Sequence, residues 1–273
     1  PNGDLLLMSR VVDVKGEPGV FTGSPSLEAA FDVPGDAWFY DDAYGLPPYA
    51  ALMEIAMQPC GFLSAYLGSP LLDADADLYF RNLDGRGRIL ADVDLRGRTV
   101  RSRVVMNSST RGPGTILQAF DFELWCEGTK FYDGWALFGY FTSASLTSSA
   151  GLDRGVSVAP WQEHASTSLP SIQVPLVDVP GDVAGARRLG ALHELLIMPG
   201  GGELEGDYLY GRVSISPDDW YFGAHFYQDP VMPGSLGVVS VLRAMRAYVR
   251  RCYPTWRHAQ RAPVTQQTVA WRY

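Results

Sequence analysis

The chain has 273 residues, of which 47% are apolar and 19% charged, enough for a sizeable core and too apolar for a disordered polymer. Its net charge of −8 excludes a chain-wide attraction to nucleic acid or to an anionic membrane. Three cysteines (Cys60, Cys126 and Cys252) are an odd number without metal-ligand spacing, and they read as reduced, buried thiols of a cytoplasmic protein. Leu5 to Met8 is too short for a signal peptide, and the opening Pro1-Asn2-Gly3 lacks a Met, so the sequence reads as a piece of a longer chain.

Strand-like text opens the chain at residues 5–14, and LEAAFDVPGDAWFYDD follows a turn-rich loop. Tyr49 to Leu67 (YAALMEIAMQPCGFLSAYL) is apolar on every side but carries Glu54, Gln58 and Pro59. A carboxylate at a bilayer centre costs about 2.5–3.5 kcal/mol or more, so this is expected to be a buried helix of a globular protein. Pro59 frees the carbonyl of Ile55 and is expected to kink that helix. Residues 89–95 and 99–108 read as short strands, and residues 115–141 as a long hairpin turning at Glu127-Gly128. Two-residue alternation places Ile116, Gln118, Phe120, Phe122 and Leu124 on one face of its first arm.

Residues 142–185 are rich in Ser, Gly and Pro and read as a connection. Strand text resumes at LHELLIMP and GDYLYGRVSIS, with Gly200-Gly201-Gly202 a hairpin loop between them. WYFGAHF reads as a strand, followed by a Pro/Gly turn and a second long helix. The halves repeat loosely: VPGDAWFYDD precedes the first helix and SPDDWYFGAHFYQD the second, with Pro48 and Pro233 at matching positions 185 residues apart. Long helices beside antiparallel strands make an α+β pattern. After its helix, the second half lacks the strands that follow the first.

Histidine occurs only as His164, His193, His225 and His258. His225 has the most structured context, because a helix start at Gly234 or Ser235 follows it within ten residues. Helix starts offer unpaired N–H groups and partial positive charge, and glycine allows close backbone approach. A base and an oxyanion donor are therefore expected side by side. Glu54 is the second candidate. An unpaired buried carboxylate ion is costly, so Glu54 is expected to hold its proton and to suit a general acid. Gln58, one turn on, is placed to orient it. Arg243, Arg246, Arg250 and Arg251 lie along one side of the second helix and read as a solvated face or a docking patch for an acidic partner.

HFYQDPVMPGSLG (His225 to Gly237) resembles the active-site turn of the bacterial β-hydroxyacyl-carrier-protein dehydratase/isomerase family, which has the hotdog fold. Leu46 to Ser69 and Leu78 to Gly85 resemble the dehydratase domains of polyunsaturated-fatty-acid synthases and related iterative polyketide synthases. The likeness implies a double hotdog, two long helices each wrapped by a curved antiparallel sheet. One unit would span residues 1–145 and a second, partial one 189–273, linked by 146–188. It also implies a histidine, His225, facing a carboxylate on the other unit's helix. The family's D/E-x-x-x-Q pattern falls on Glu54 and Gln58, and the backbone N–H role toward the thioester carbonyl falls on Gly234. The second helix has Val239 and Arg243, and the first half Trp38 and Tyr40, where the matching groups of a second site could stand.

The reaction implied is loss of water from a 3-hydroxyacyl thioester. It needs no metal or redox cofactor, and the substrate arrives on the phosphopantetheine of an acyl carrier protein. Partners would be that carrier and other megasynthase domains, and a homodimer is allowed. The alternatives are an enzyme that also moves the double bond, and a catalytically silent hotdog that serves as a docking module. A hotdog thioesterase would need a carboxylate to activate water and has no evident use for the Pro-Gly turn.

Overall fold

The computed structural model describes residues 3–40, 47–73, 76–150, 154–156, 159–161, 170–174, 192–200, 206–226, 228–253 and 268–273. In chain order the elements are β1 (Arg10–Lys15), β2 (Ser26–Asp32), α1 (Tyr49–Tyr66), β3 (Leu78–Ile89), β4 (Thr99–Gly112), β5 (Thr115–Cys126), β6 (Thr129–Thr142), α2 (Ser143–Ser148), β7 (Ile172–Gln173), β8 (Glu194–Met198), β9 (Tyr208–Arg212), α3 (Gly234–Cys252) and β10 (Thr268–Arg272).

Seven strands form one antiparallel sheet in the order β1-β2-β4-β5-β6-β3-β10. Its centre is the β5–β6 hairpin. The turn falls on Glu127-Gly128 with φ of +48° and +80°, the left-handed pair that matches the twist of the flanking strands. Alternate residues Ile116, Gln118, Phe120, Phe122 and Leu124 are buried, so the hydrophobic pattern sets the register.

α1 lies against β2, β4 and β5, and its middle is buried apart from half-buried Glu54 and Gln58, with Met53, Ile55 and Ala56 inaccessible. Each large apolar side chain so buried contributes roughly 1.5–3 kcal/mol. The helix is unbroken across Pro59. The hydroxyl of Ser102, buried in β4, donates to the Ile55 carbonyl at 3.4 Å, meeting the group that Pro59 leaves without its ladder partner. Among the described residues no helix is long and apolar enough to cross a membrane. A long helix against an antiparallel sheet is the α+β arrangement expected of the first half.

The second half packs onto it. β10 pairs with the free edge of β3, from Thr268 opposite Arg88 to Arg272 opposite Asp84. α3 packs on α1, and Leu236, Val239 and Trp271 join the core cluster of the first half. The repeated turns meet, with Trp38 edge-on to Trp220 at 5.3 Å between ring centroids. β7, β8 and β9 form a separate small sheet. β7 lies inside the stretch expected to be a linker and pairs with β8, while residues 175–188 lie outside the described residues. Gly200 follows β8, its N–H donating to Asp207 at 2.8 Å across the β8–β9 connection.

Three expectations are corrected. Residues 89–95 are no strand: the strand here is β3, which ends at Ile89, and residues 90–95 follow it outside the sheet. WYFGAHF is no strand: Trp220–Gly223 is a 3-10 turn, closed by Phe222 N–H to the Asp219 carbonyl and Ala224 N–H to Tyr221. Asp219 accepts from the Ser216 N–H and starts that turn, a local hydrogen bond that overrides the β-preference of the aromatic run. Of the three free thiols, Cys60 and Cys126 are buried but Cys252, at the end of α3, is exposed. Burial pushes the Cys60 thiol well above its ordinary range.

Candidate active site

A cavity of about 650 Å³ opens where α1, β3, β6, the turn after His225 and the start of α3 converge. Glu54, Gln58, His225 and Gly234 all line it. Its remaining wall is largely apolar, with Met57, Phe80, Phe138 and Met232 among the lining. Phe80 stacks on Phe138, with centroids 5.0 Å apart, and meets Phe226 at 6.4 Å.

His225 follows the 3-10 turn and is half-buried. Its Nδ1 lies 2.9 Å from the carbonyl of Val231. A carbonyl can only accept, so Nδ1 carries a proton, and the neutral form of the ring then has its lone pair on Nε2. The Val231 N–H returns a bond to the His225 carbonyl at 2.8 Å, closing the turn on both sides.

Glu54 is half-buried on the cavity face of α1 and is not unpartnered. Ser235 Oγ, itself buried, donates to Glu54 Oε1 at 2.6 Å. That bond joins the two halves and engages one of the two carboxyl oxygens. Gln58 does not orient Glu54 as expected. Its Nε2 donates to the Leu5 carbonyl at 2.8 Å and its Oε1 accepts from the Leu7 N–H at 2.9 Å. An amide has one donor end and one acceptor end, and the irregular backbone of residues 5–7 takes both.

Gly234 is the first residue of α3, so its N–H lies outside the helical ladder, at the positive end of the dipole. A Cβ there would sit 2.1 Å from the ring of Tyr273, so only glycine fits beneath that ring. Tyr273 lines the cavity and is held by its N–H to the Leu83 carbonyl at 2.9 Å. Burial first, then the nearby Glu54 and Tyr49, push its phenol well above the ordinary range.

The matching positions of the other half hold no such set. Val239 is buried in the core. The Tyr40 hydroxyl accepts from the Leu95 N–H at 2.8 Å, and desolvation raises its phenol to about 12. His193 is exposed and accepts from the Ser214 N–H, and His164 and His258 lie outside the described residues. Sequence reading missed Ser235 and Tyr273. Ser235 stood inside the His225-to-Gly237 motif as a hydroxyl at a helix start, whereas nothing local marked Tyr273.

A family model described as a FabA-like domain matches residues 185–273, the part that carries His225, Gly234 and α3. The whole chain is also 32% identical to one of the proteins that make up the polyunsaturated fatty acid synthase of Thraustochytrium sp., and it spans about 20% of that protein's length. Solved structures resemble it weakly. The dehydratase heterocomplex ApeI:P from Xenorhabdus doucetiae aligns over 53% of this chain and 88% of its own, at 18% identity and a TM-score of 0.38. A mutant thioesterase PA1618 from Pseudomonas aeruginosa aligns over 51% and 85%, at 19% identity and 0.37. Likenesses this weak decide nothing about activity.

Proposed function

We propose that this chain removes water from a 3-hydroxyacyl thioester to give a 2-enoyl thioester. The reading is carried by one observation: His225 and Glu54, from opposite halves of the chain, line a single apolar cavity beside the first N–H of α3. Nε2 of His225 takes the C2 proton. Charge developing on the thioester oxygen meets the Gly234 N–H and the helix dipole. Glu54, with Oε1 held by Ser235 and a proton on Oε2, gives that proton to the 3-hydroxyl, which leaves as water. Each proton transfer contributes on the order of 10²–10⁴ in rate. Both side chains end protonated differently from how they began, and a return of the proton from His225 to Glu54 through solvent resets the site.

The substrate of this reading is an acyl chain on the phosphopantetheine of an acyl carrier protein, within a fatty-acid or polyketide synthase. The apolar wall of Met57, Phe80 and Phe138 suits such a chain. In this reading the two halves are two hotdogs related by the repeat. An open cavity holding both polar groups favours an active site over a silent docking module.

The test is turnover of a series of 3-hydroxyacyl-pantetheine thioesters, read by mass as loss of water. Appearance of the 2-enoyl thioester supports the reading, and unchanged substrate across the series contradicts it. Supplying the 2-enoyl thioester instead shows whether the double bond also moves.

A further inference from the structure

Arg81 in β3 and Asp229 in the turn after His225 form a two-pronged ion pair. The guanidinium nitrogens lie 2.5 and 2.9 Å from the two carboxylate oxygens. Their side chains are 24% and 22% exposed, and Arg81 lines the cavity. The reaction proposed above uses neither group. Parallel bidentate bonds fix orientation as well as distance, and a lysine at the same place could not reproduce them.

The pair grips the segment that sets His225. Asp229 exchanges backbone hydrogen bonds with Phe226, at 3.0 and 3.3 Å, and two residues further on Val231 holds His225 through both its N–H and its carbonyl. At the other end Arg81 also donates to the Phe80 carbonyl at 2.8 Å, so its guanidinium is tied to β3. β3 belongs to the half that carries Glu54, and the turn belongs to the half that carries His225. We propose that Arg81 and Asp229 are positioning residues, a clamp that sets where the His225 imidazole stands relative to Glu54 and the substrate. The proposal rests on the dehydratase reading. Misplacement of about 1 Å can cost on the order of 100-fold in rate, so a contact outside the reacting atoms has real leverage.

The test uses Arg81→Gln and Asp229→Asn, which keep size and remove charge, with Arg81→Lys as a further variant should the first not fold. Each is compared with wild type and His225→Ala for kcat, KM, thermal midpoint and the ¹⁵N resonances of the His225 ring. The clamp predicts a fall in kcat of roughly 10- to 100-fold with KM changed by less than about threefold, and a double variant no slower than the worse single. It also predicts loss of the single Nδ1–H tautomer. Either change supports the clamp. A kcat within about twofold of wild type together with an unaltered His225 spectrum overturns it, even if the thermal midpoint falls, since a merely structural pair would do that alone. If wild type turns over no 3-hydroxyacyl thioester, the dehydratase reading fails and the ring spectrum alone decides the clamp.

Discussion

Ser235 and Glu54 are 181 positions apart in sequence, yet the serine hydroxyl donates to the carboxyl at 2.6 Å. The bond occupies one carboxyl oxygen and so presents the other. Ser235→Ala should leave the fold intact and lower kcat by about 10- to 100-fold, the effect of losing one hydrogen bond to a charged or proton-donating group. Steady-state rates beside a thermal melt check this, and an unchanged kcat would detach Ser235 from the site.

Gly234 works by what it lacks. Gly234→Ala would place a methyl 2.1 Å from the Tyr273 ring, so the ring, which lines the cavity, must shift. Substitution by alanine near a helix start is ordinarily mild, but here the variant should lose most turnover. Adding Tyr273→Ala should recover part of it. Turnover of the single and double variants measures the rescue.

Pro59 and Ser102 are predicted to be energetically coupled through the Ile55 carbonyl. Ser102→Ala leaves that buried carbonyl without a donor and should cost about 1–2 kcal/mol in urea unfolding. Pro59→Ala restores a helical N–H to the same oxygen, so the double variant should lose less than Ser102→Ala alone. Strict additivity would show that the serine does not serve the carbonyl.

Asp133 predicts an acid-sensitive stability. Partial burial opposes its charge, but Arg88 and Lys130, at 3.2 and 3.0 Å, outweigh burial and hold the carboxyl below its ordinary value. A folded-state value below the unfolded one stabilises the protein at pH above the unfolded value, and that contribution is lost as pH falls toward the folded value. Asp133→Asn should therefore be less stable than wild type at neutral pH and converge with it in acid. A constant difference across the pH range would contradict the assignment.

The sheet was legible because its signals are local. The alternation from Ile116 to Leu124 and the Glu127-Gly128 turn are written within a few residues of the atoms they control. The same holds for α1, whose largely apolar surface requires burial along most of its length. What was not legible depends on contacts between distant segments. WYFGAHF has strand-like composition, but the Asp219 hydrogen bond and packing against Trp38 make it a turn. Gln58 stands one turn from Glu54, but it is claimed by the backbone of Leu5 and Leu7. His225, Glu54 and Gly234 were identified by motif and context. Ser235, Arg81 and Tyr273 line the same cavity through contacts between segments distant in sequence, and although Ser235 stood inside the motif, its partner Glu54 is not written there.

The central claim is that one imidazole and one carboxyl group act on one substrate across the two halves. Its most direct measurement is enoyl formation from a single 3-hydroxyacyl-pantetheine thioester by wild type, His225→Ala and Glu54→Gln, each confirmed folded. The account predicts enoyl product with wild type, loss of at least about 100-fold in each variant, and no further loss when the two are combined. Turnover near the wild-type rate in either variant, or losses that simply multiply, would contradict it.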